Sequence, residues 1–155
     1  MRTRGHGPRT EAVAKALGTV GEYGAVWLAI GVALAIADGD RREQWLAAGL
    51  LGPVAIGLNF AVKLAVRRPR PVLEGLPPLG GAPSSLSFPS AHATSSFACA
   101  TAMTRIAPEA AVLFALAAAI AACRPYLGLH YPSDVLAGAL IGTGLGFALP
   151  LGPLD

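Results

Sequence analysis

Apolar runs with almost no charge recur along this 155-residue chain, and they constrain its fold more than any other feature. Five such runs cover residues 20–37, 45–62, 90–106, 110–123 and 135–151. A helix needs about 20 apolar residues to cross the hydrocarbon core of a bilayer. Only 14% of the residues are charged, whereas soluble domains carry about 25%. We therefore predict an all-α integral membrane bundle of about five transmembrane helices.

The N-terminal segment is more polar than the rest of the chain. Within it, residues 9–17 form a mildly amphipathic, helix-favouring stretch that is too short to cross a bilayer, which predicts an interfacial helix. We therefore expect a polar tail and interfacial helix over 1–19 and a single transmembrane domain over 20–151. Glu22 then lies at the membrane interface. Because no clean apolar core ends in a small-residue cleavage site, we expect no cleaved signal peptide.

Charge and cysteine content exclude several classes of function. The formal net charge is only +3, and no basic patch is interleaved with aromatic residues, so we expect no nucleic-acid partner. Cys99 and Cys123 lie in apolar runs, which predicts small buried residues and not a disulfide or a metal pair. The excess of arginine over lysine, with abundant alanine and glycine, hints at a GC-rich bacterial genome.

Residues 123–134 join the last two apolar runs and include three functional side chains. Pro132 predicts that a helix starts between His130 and Asp134. At that spacing Asp134 would hold one ring nitrogen and leave the other as a free lone pair, as a nucleophilic histidine requires. The planar guanidinium of Arg124 suits a phosphate or a carboxylate. Taken alone, this stretch is equally compatible with a basic loop that caps two membrane helices.

Two further polar groups lie on the 63–91 connection, which is rich in Pro, Gly and Ser. Lys63 and Arg70 supply cations, although a lysine at a helix end commonly snorkels without a further role. Ser90 precedes an expected helix, where it is an ordinary N-cap or part of an anion site built from free backbone N–H groups. In the second case, His92 would face the anion from the first helical turn.

Five crossings place the 63–91 and 124–134 connections on the same side of the membrane. The cations Lys63, Arg70 and Arg124 then converge on one face. Burying that much charge near lipid is costly unless the charge is paired or functional. A phosphoryl group in transfer, with its three equatorial oxygens, would satisfy these cations.

The combined pattern resembles the signature motifs of the type 2 phosphatidic acid phosphatase (PAP2) family, which also includes bacterial acid phosphatases and vanadium haloperoxidases. The matching stretches are Lys63-x6-Arg70-Pro71, Pro89-Ser90-Ala91-His92 and Cys123-Arg124-x5-His130-x3-Asp134. Ala91 stands where the family usually has glycine, and Cys123 where it usually has serine. Membrane members usually have six spans, one more than we predict here.

The resemblance implies a role for each motif residue. His130 would attack phosphorus and form a phosphohistidine, with Asp134 orienting its ring. His92 would protonate the departing alkoxide and then activate water. The phosphoryl oxygens would be held by Lys63, Arg70, Ser90, Arg124 and the backbone near Ala91. No metal or other cofactor is expected, because the nearby cations disfavour a metal triad of the two histidines and the aspartate.

We therefore predict a membrane lipid phosphatase that acts on a phosphatidate-type or polyprenyl (pyro)phosphate lipid. Small bacterial members of the family are assigned to polyprenyl-linked phosphoribose and to undecaprenyl pyrophosphate, which favours a polyprenyl substrate. The alternative is a non-catalytic membrane protein that binds or transports an anionic lipid. Such a protein would need the cations but not a His–Asp pair beside a second histidine. The apolar runs exclude a soluble haloperoxidase.

Basic residues are distributed unequally across the predicted membrane. Nine lie on the side of the N-terminus and of both polar connections, against Arg41, Arg42 and Arg105 on the other side. Lys63, Arg70 and Arg124 are expected to bind phosphate, and without them the first side has six basic residues and the other side three. An excess of Lys and Arg marks the cytoplasmic side. We therefore expect a multi-pass protein of a bacterial plasma membrane whose site faces the cytoplasm, although the family's membrane members more often face outward.

Overall fold

Helices dominate the structure, a computed structural model that describes residues 5–72 and 74–152. In that part the chain forms no β-strand. Its α-helices are α1 (Pro8–Val20), α2 (Ala25–Ala37), α3 (Arg42–Val66), α4 (Ala91–Ile106), α5 (Leu113–Tyr126) and α6 (Pro132–Ala148). Short 3₁₀ segments, Glu22–Gly24 and Pro108–Val112, precede α2 and α5. The predicted all-α class is confirmed, and so are the helix starts predicted beside Ser90 and Pro132.

Two helices have the length and hydropathy of a membrane span: α3, with 25 residues, and the continuous Pro108–Tyr126 segment, with 19. A third span results if α1 and the Glu22–Ala37 segment, bent by 48° to each other, form one broken span. With 16 and 17 residues, α4 and α6 are about 24–26 Å long, slightly less than a hydrocarbon core of about 30 Å. The structure therefore supports a helical membrane protein, while the count of five spans stays a prediction.

Small residues allow the central helix, α4, to pack closely against its neighbours α3, α5 and α6. Gly138, Gly142 and Gly146 form a stripe on α6 that faces α4. A Cβ atom at Gly138 or at Gly146 would lie 2.6 Å from a backbone carbonyl oxygen of α4 or of its N-cap. Close backbone approach of this kind is typical of helix packing in lipid. The two cysteines are free and buried, as predicted, Cys99 in this core and Cys123 in a second cluster beside α1.

The fifth helix continues farther than we predicted from the sequence. Arg124 and Pro125 lie in the last turn of α5, whereas we expected a connection from residue 124 onward. Pro125 removes only its own N–H, and the N–H of Leu127 still bonds to the carbonyl of Cys123 at 2.9 Å. Helical backbone, and not a loop, therefore holds Arg124 in place.

The N-terminal helix α1 lies across the C-terminal end of α5. Near the start of α1, the hydroxyl of Tyr126 donates to Thr10 Oγ1 at 2.9 Å. Near its end, a Cβ atom on Gly18 would lie 3.0 Å from Arg124 Nη1. α1 is longer than the predicted 9–17 segment, and it packs at the end of the bundle that holds the predicted site. Its position at the membrane interface stays a prediction.

Candidate active site

A cavity of about 830 Å³ lies where α1, α3, α4 and α5 meet the two polar connections. Six of the eight predicted site residues line it, namely Lys63, Arg70, Ala91, His92, Arg124 and His130. The other two, Ser90 and Asp134, are fully buried and do not reach its wall. The Ser90 hydroxyl instead caps α4 by accepting from the N–H of Ala93 at 3.5 Å. The three motifs therefore meet around one space, while the role of each residue stays a prediction.

His130 lies between an arginine and an aspartate. Its Nε2 atom is 3.1 Å from Arg70 Nη1, and its Nδ1 atom is 3.6 Å from Asp134 Oδ2, slightly beyond hydrogen-bond length. Because a guanidinium only donates hydrogen bonds, we assign the lone pair to Nε2 and the ring proton to Nδ1. The first turn of α6 creates this arrangement, since it places Asp134 four residues after His130.

The pKa of His130 is lowered from 6.5 to about 4, and burial is the largest cause. The positive charges of Arg70, Arg124 and Lys63 act in the same direction, and the contact with Asp134 acts in the opposite direction. The ring is therefore neutral at neutral pH. A histidine nitrogen acts as a nucleophile only in this state.

Asp134 is held by residues at positions that the motifs leave unspecified. Arg68 Nη1 donates to its Oδ1 at 2.8 Å and to Ser133 Oγ at 2.9 Å, and the guanidinium lies 4.0 Å above the ring of Tyr131. The N–H of Tyr131 donates to Oδ2 at 2.9 Å. The sequence pattern assigns Arg68 no role in the site. The available signal was the Arg67-Arg68 pair, which the motif spacing passes over.

The ammonium group of Lys63 lies beside the cavity and also forms hydrogen bonds with backbone carbonyls. Its Nζ atom donates to the carbonyls of Leu86, Ser87 and Pro89 at 3.3, 3.1 and 2.7 Å. An ammonium has three donors, so these contacts satisfy it. Lys63 therefore fixes the segment that leads into α4, in addition to placing a positive charge beside the cavity.

The two arginines of the cavity differ in their unused donors. Arg70 donates through Nε to the Ser84 carbonyl at 2.8 Å and through Nη1 to the Leu129 carbonyl at 2.6 Å. Arg124 is buried, and its Nε atom has no hydrogen-bond partner among the described residues. An unpaired donor on a buried cation is costly unless a ligand accepts from it. Arg124 is thus the cation best prepared for an anion.

His92 is anchored by the N-terminal helix. Its Nε2 atom lies 2.9 Å from the carbonyl oxygen of Gly18, which only accepts, so we assign the ring proton to Nε2. A Cβ atom on Gly21 would lie 2.9 Å from His92 Cδ2, so α1 and the turn after it shape the space around this ring. A backbone carbonyl has no signature in the sequence, and the contact was not predicted.

These features define a class, an all-helical membrane protein in which two histidines and three cations surround one cavity. No group of three or more His, Cys, Asp or Glu residues in the described part of the chain is arranged to hold a metal ion. The model of the PAP2 superfamily matches residues 44–153, and the chain belongs to this superfamily of phosphatases.

Curated relatives include phosphatases of polyprenyl lipids. The decaprenylphosphoryl-5-phosphoribose phosphatase of Mycobacterium tuberculosis is 40% identical over 139 residues, which cover 90% of this chain and 78% of the relative. The undecaprenyl-diphosphatase BcrC of Bacillus subtilis is 31% identical over 127 residues, covering 79% of this chain and 61% of the relative.

Solved structures show the same fold. LpxE of Aquifex aeolicus has a TM-score of 0.76 and 29% identity, with 95% of this chain and 88% of that chain covered. A transmembrane PAP2-type phosphatidylglycerolphosphate phosphatase of Bacillus subtilis has a TM-score of 0.70 and 26% identity, with 93% and 76% covered. The resemblance found in the sequence is thereby confirmed at the level of the family.

Proposed function

We propose that this protein hydrolyses the phosphate monoester or pyrophosphate of a polyprenyl-type or phosphatidate-type lipid through a phosphohistidine intermediate. The observation that carries the proposal is the position of His130, whose Nε2 atom lies at the cavity wall 3.1 Å from Arg70 Nη1. The names of the relatives favour a polyprenyl lipid within this range.

In the first step, His130 Nε2 attacks phosphorus and the bond from phosphorus to the leaving oxygen breaks. His92 supplies the proton to that oxygen. For this step His92 carries a proton on both ring nitrogens. Its Nε2–H donates a hydrogen bond to the Gly18 carbonyl, and its Nδ1–H gives up the proton, which leaves Nδ1 as the base of the second step. In the second step, His92 takes a proton from water, and the resulting hydroxide releases phosphate from the histidine. Arg70 and Arg124 stabilise the charge on the phosphoryl oxygens in both steps.

A test is the release of phosphate from a panel of lipid phosphates by the purified protein. His130→Ala should abolish release from every lipid, while His6→Ala, a histidine outside the cavity, should keep it. Acid-labile, base-stable labelling of the wild type by a lipid with a radioactive phosphate should mark the intermediate. Full activity of His130→Ala would refute the mechanism.

The second candidate is a non-catalytic protein that binds or transports an anionic lipid. The donor on Arg124 without a hydrogen-bond partner favours anion binding under either hypothesis. The hypotheses differ in the pair of His130 and Asp134, which binding alone does not require. Saturable binding of lipid phosphates with no release of phosphate from any of them would favour the second candidate.

We further propose five spans, an interfacial α1 and a site that faces the cytoplasm of a bacterium. The position of α1 at the same end of the bundle as the cavity supports this topology, since it keeps the N-terminal basic residues on that side. Single cysteines at Ala82 and at Asp40, both exposed, test it in a background without the native cysteines. In intact cells, an impermeant thiol reagent should label Asp40→Cys only. Labelling of Ala82→Cys alone would reverse the orientation.

A further inference from the structure

The cavity is larger than a phosphoryl group requires, and α1 adds a second set of residues to its wall. Lys15, Gly18, Thr19 and Glu22 all line the cavity. Their spacing of i, i+3, i+4 and i+7 places them on one stripe along α1 and the 3₁₀ turn that follows it. None of the four belongs to the three motifs, and Gly18 is already engaged with His92 through its carbonyl.

Glu22 is a carboxylate in a cavity whose other charged side chains are all cations or histidines. Its charge is close enough to interact with that of Arg124. Even so, the carboxylate of Glu22 makes no hydrogen bond or salt bridge within the part of the chain that the structure describes. A carboxylate repels phosphate oxygens and only accepts hydrogen bonds. The ligand group that suits it is a donor, such as a hydroxyl.

Lys15 lies seven residues before Glu22, or roughly 10 Å at the rise of a helix. Its side chain is exposed, so it stands at the rim of the cavity and away from the buried cations around His130. A cation at this position is suited to a second anionic group, separate from the phosphate that is cleaved. Ile56 and Phe60 of α3 also line the cavity and give it an apolar wall.

We propose that Lys15, Thr19 and Glu22 form a headgroup subsite for a hydroxylated unit, such as a pentose, between the cleaved phosphate monoester and a lipid-linked phosphodiester. The inference rests on the proposed phosphatase function. The hydroxyls of the unit donate to Glu22, the phosphodiester pairs with Lys15, and the tail passes the apolar wall. A lipid diphosphate offers Glu22 no hydroxyl and brings negative charge towards it, so the subsite disfavours that substrate.

The test compares two substrates with the same polyprenyl tail, a polyprenylphosphoryl-5-phosphoribose and a polyprenyl diphosphate. Glu22→Gln should lower kcat/KM for the phosphoribosyl lipid roughly 10- to 100-fold, mainly through KM, because it removes a charged hydrogen-bond acceptor. For the diphosphate, kcat/KM should stay unchanged or rise. Glu43→Gln, an exposed acid outside the cavity, is the matched control and should alter neither.

Turnover of the diphosphate also reports that Glu22→Gln has folded. Equal losses on both substrates would overturn the subsite, because Glu22 would then act only by positioning Arg124. A wild type that prefers the diphosphate would overturn it too. If the wild type releases phosphate from neither lipid nor from any other lipid phosphate, the proposed function itself fails, which is a separate result.

Discussion

Replacing Arg68 tests whether the proposed catalytic pair, His130 and Asp134, depends on a residue that the motifs leave unspecified. Asp134 is fully buried, and its Oδ1 atom receives its hydrogen bond from Arg68 at 2.8 Å. Arg68→Gln removes the charge and shortens the donor. Oδ1 then loses its partner, while Oδ2 keeps the N–H of Tyr131. We expect Asp134 to reorient and His130 to lose its alignment with the phosphorus atom.

The expected loss in kcat follows from the type of hydrogen bond that Arg68→Gln removes. A hydrogen bond to a charged group contributes about 1.5–3 kcal/mol. The Arg68 side chain is 36% exposed, and water screens part of its charge, so we take the lower end of that range. About 1.5 kcal/mol corresponds to roughly a tenfold loss in kcat. KM should change little, because Arg68 does not line the cavity.

The assay is steady-state phosphate release, with Arg67→Gln as the control. The side chain of Arg67 is exposed, and among the described residues it bonds only to the nearby Leu64 carbonyl. A double-mutant cycle with Asp134→Asn tests whether Arg68 acts through Asp134, because the effects of substitutions at two residues in contact are not additive. If Arg68 acts through Asp134, Arg68→Gln should have little further effect in the Asp134→Asn background. Additive losses, or an equal loss in Arg67→Gln, would refute this reasoning.

Three other predictions concern the chemistry of the cavity. His92→Ala should lower kcat for a lipid monophosphate about 10²–10⁴-fold and less for a pyrophosphate, whose leaving group needs less protonation; equal losses would contradict the acid role. Chelators should leave activity intact while orthovanadate, an analogue of the five-coordinate transition state, inhibits competitively; recovery only with a divalent ion would contradict this. Because the pKa of His130 is lowered to about 4, mainly by burial, protonation of this ring should reduce kcat/KM only as the pH drops towards 4. A pH profile of kcat/KM in which His130 titrates near 6.5 would argue against a buried nucleophile.

The candidate site could be predicted from the sequence mainly at positions where polar residues interrupt apolar runs. In a chain with so little charge, Lys63, Arg124 and His130 required an explanation, and the helix starts at Ser90 and Pro132 fixed how the groups project. Convergence of the three motifs was expected from the five predicted crossings; the structure confirms the convergence, while the count of crossings stays a prediction. The sequence could not show which of two neighbouring arginines, Arg67 or Arg68, contacts Asp134. Arg68 contacts Asp134 and Arg67 does not, and the difference depends on Arg67 adopting a left-handed backbone with φ 54° at the end of α3.

The N-terminal helix α1 looks separate from the site in the sequence but contacts it in the structure. Its composition separates residues 1–19 from the apolar runs, and the motifs all lie beyond it. The structure nevertheless joins it to the site through the Gly18 carbonyl on His92 and through Lys15 on the cavity wall. Neither contact needs a distinctive residue type, because one uses backbone and the other a common surface cation. A short helix that looks like an appendage in the sequence therefore contributes part of the cavity, and the proposed subsite assigns substrate selectivity to that helix.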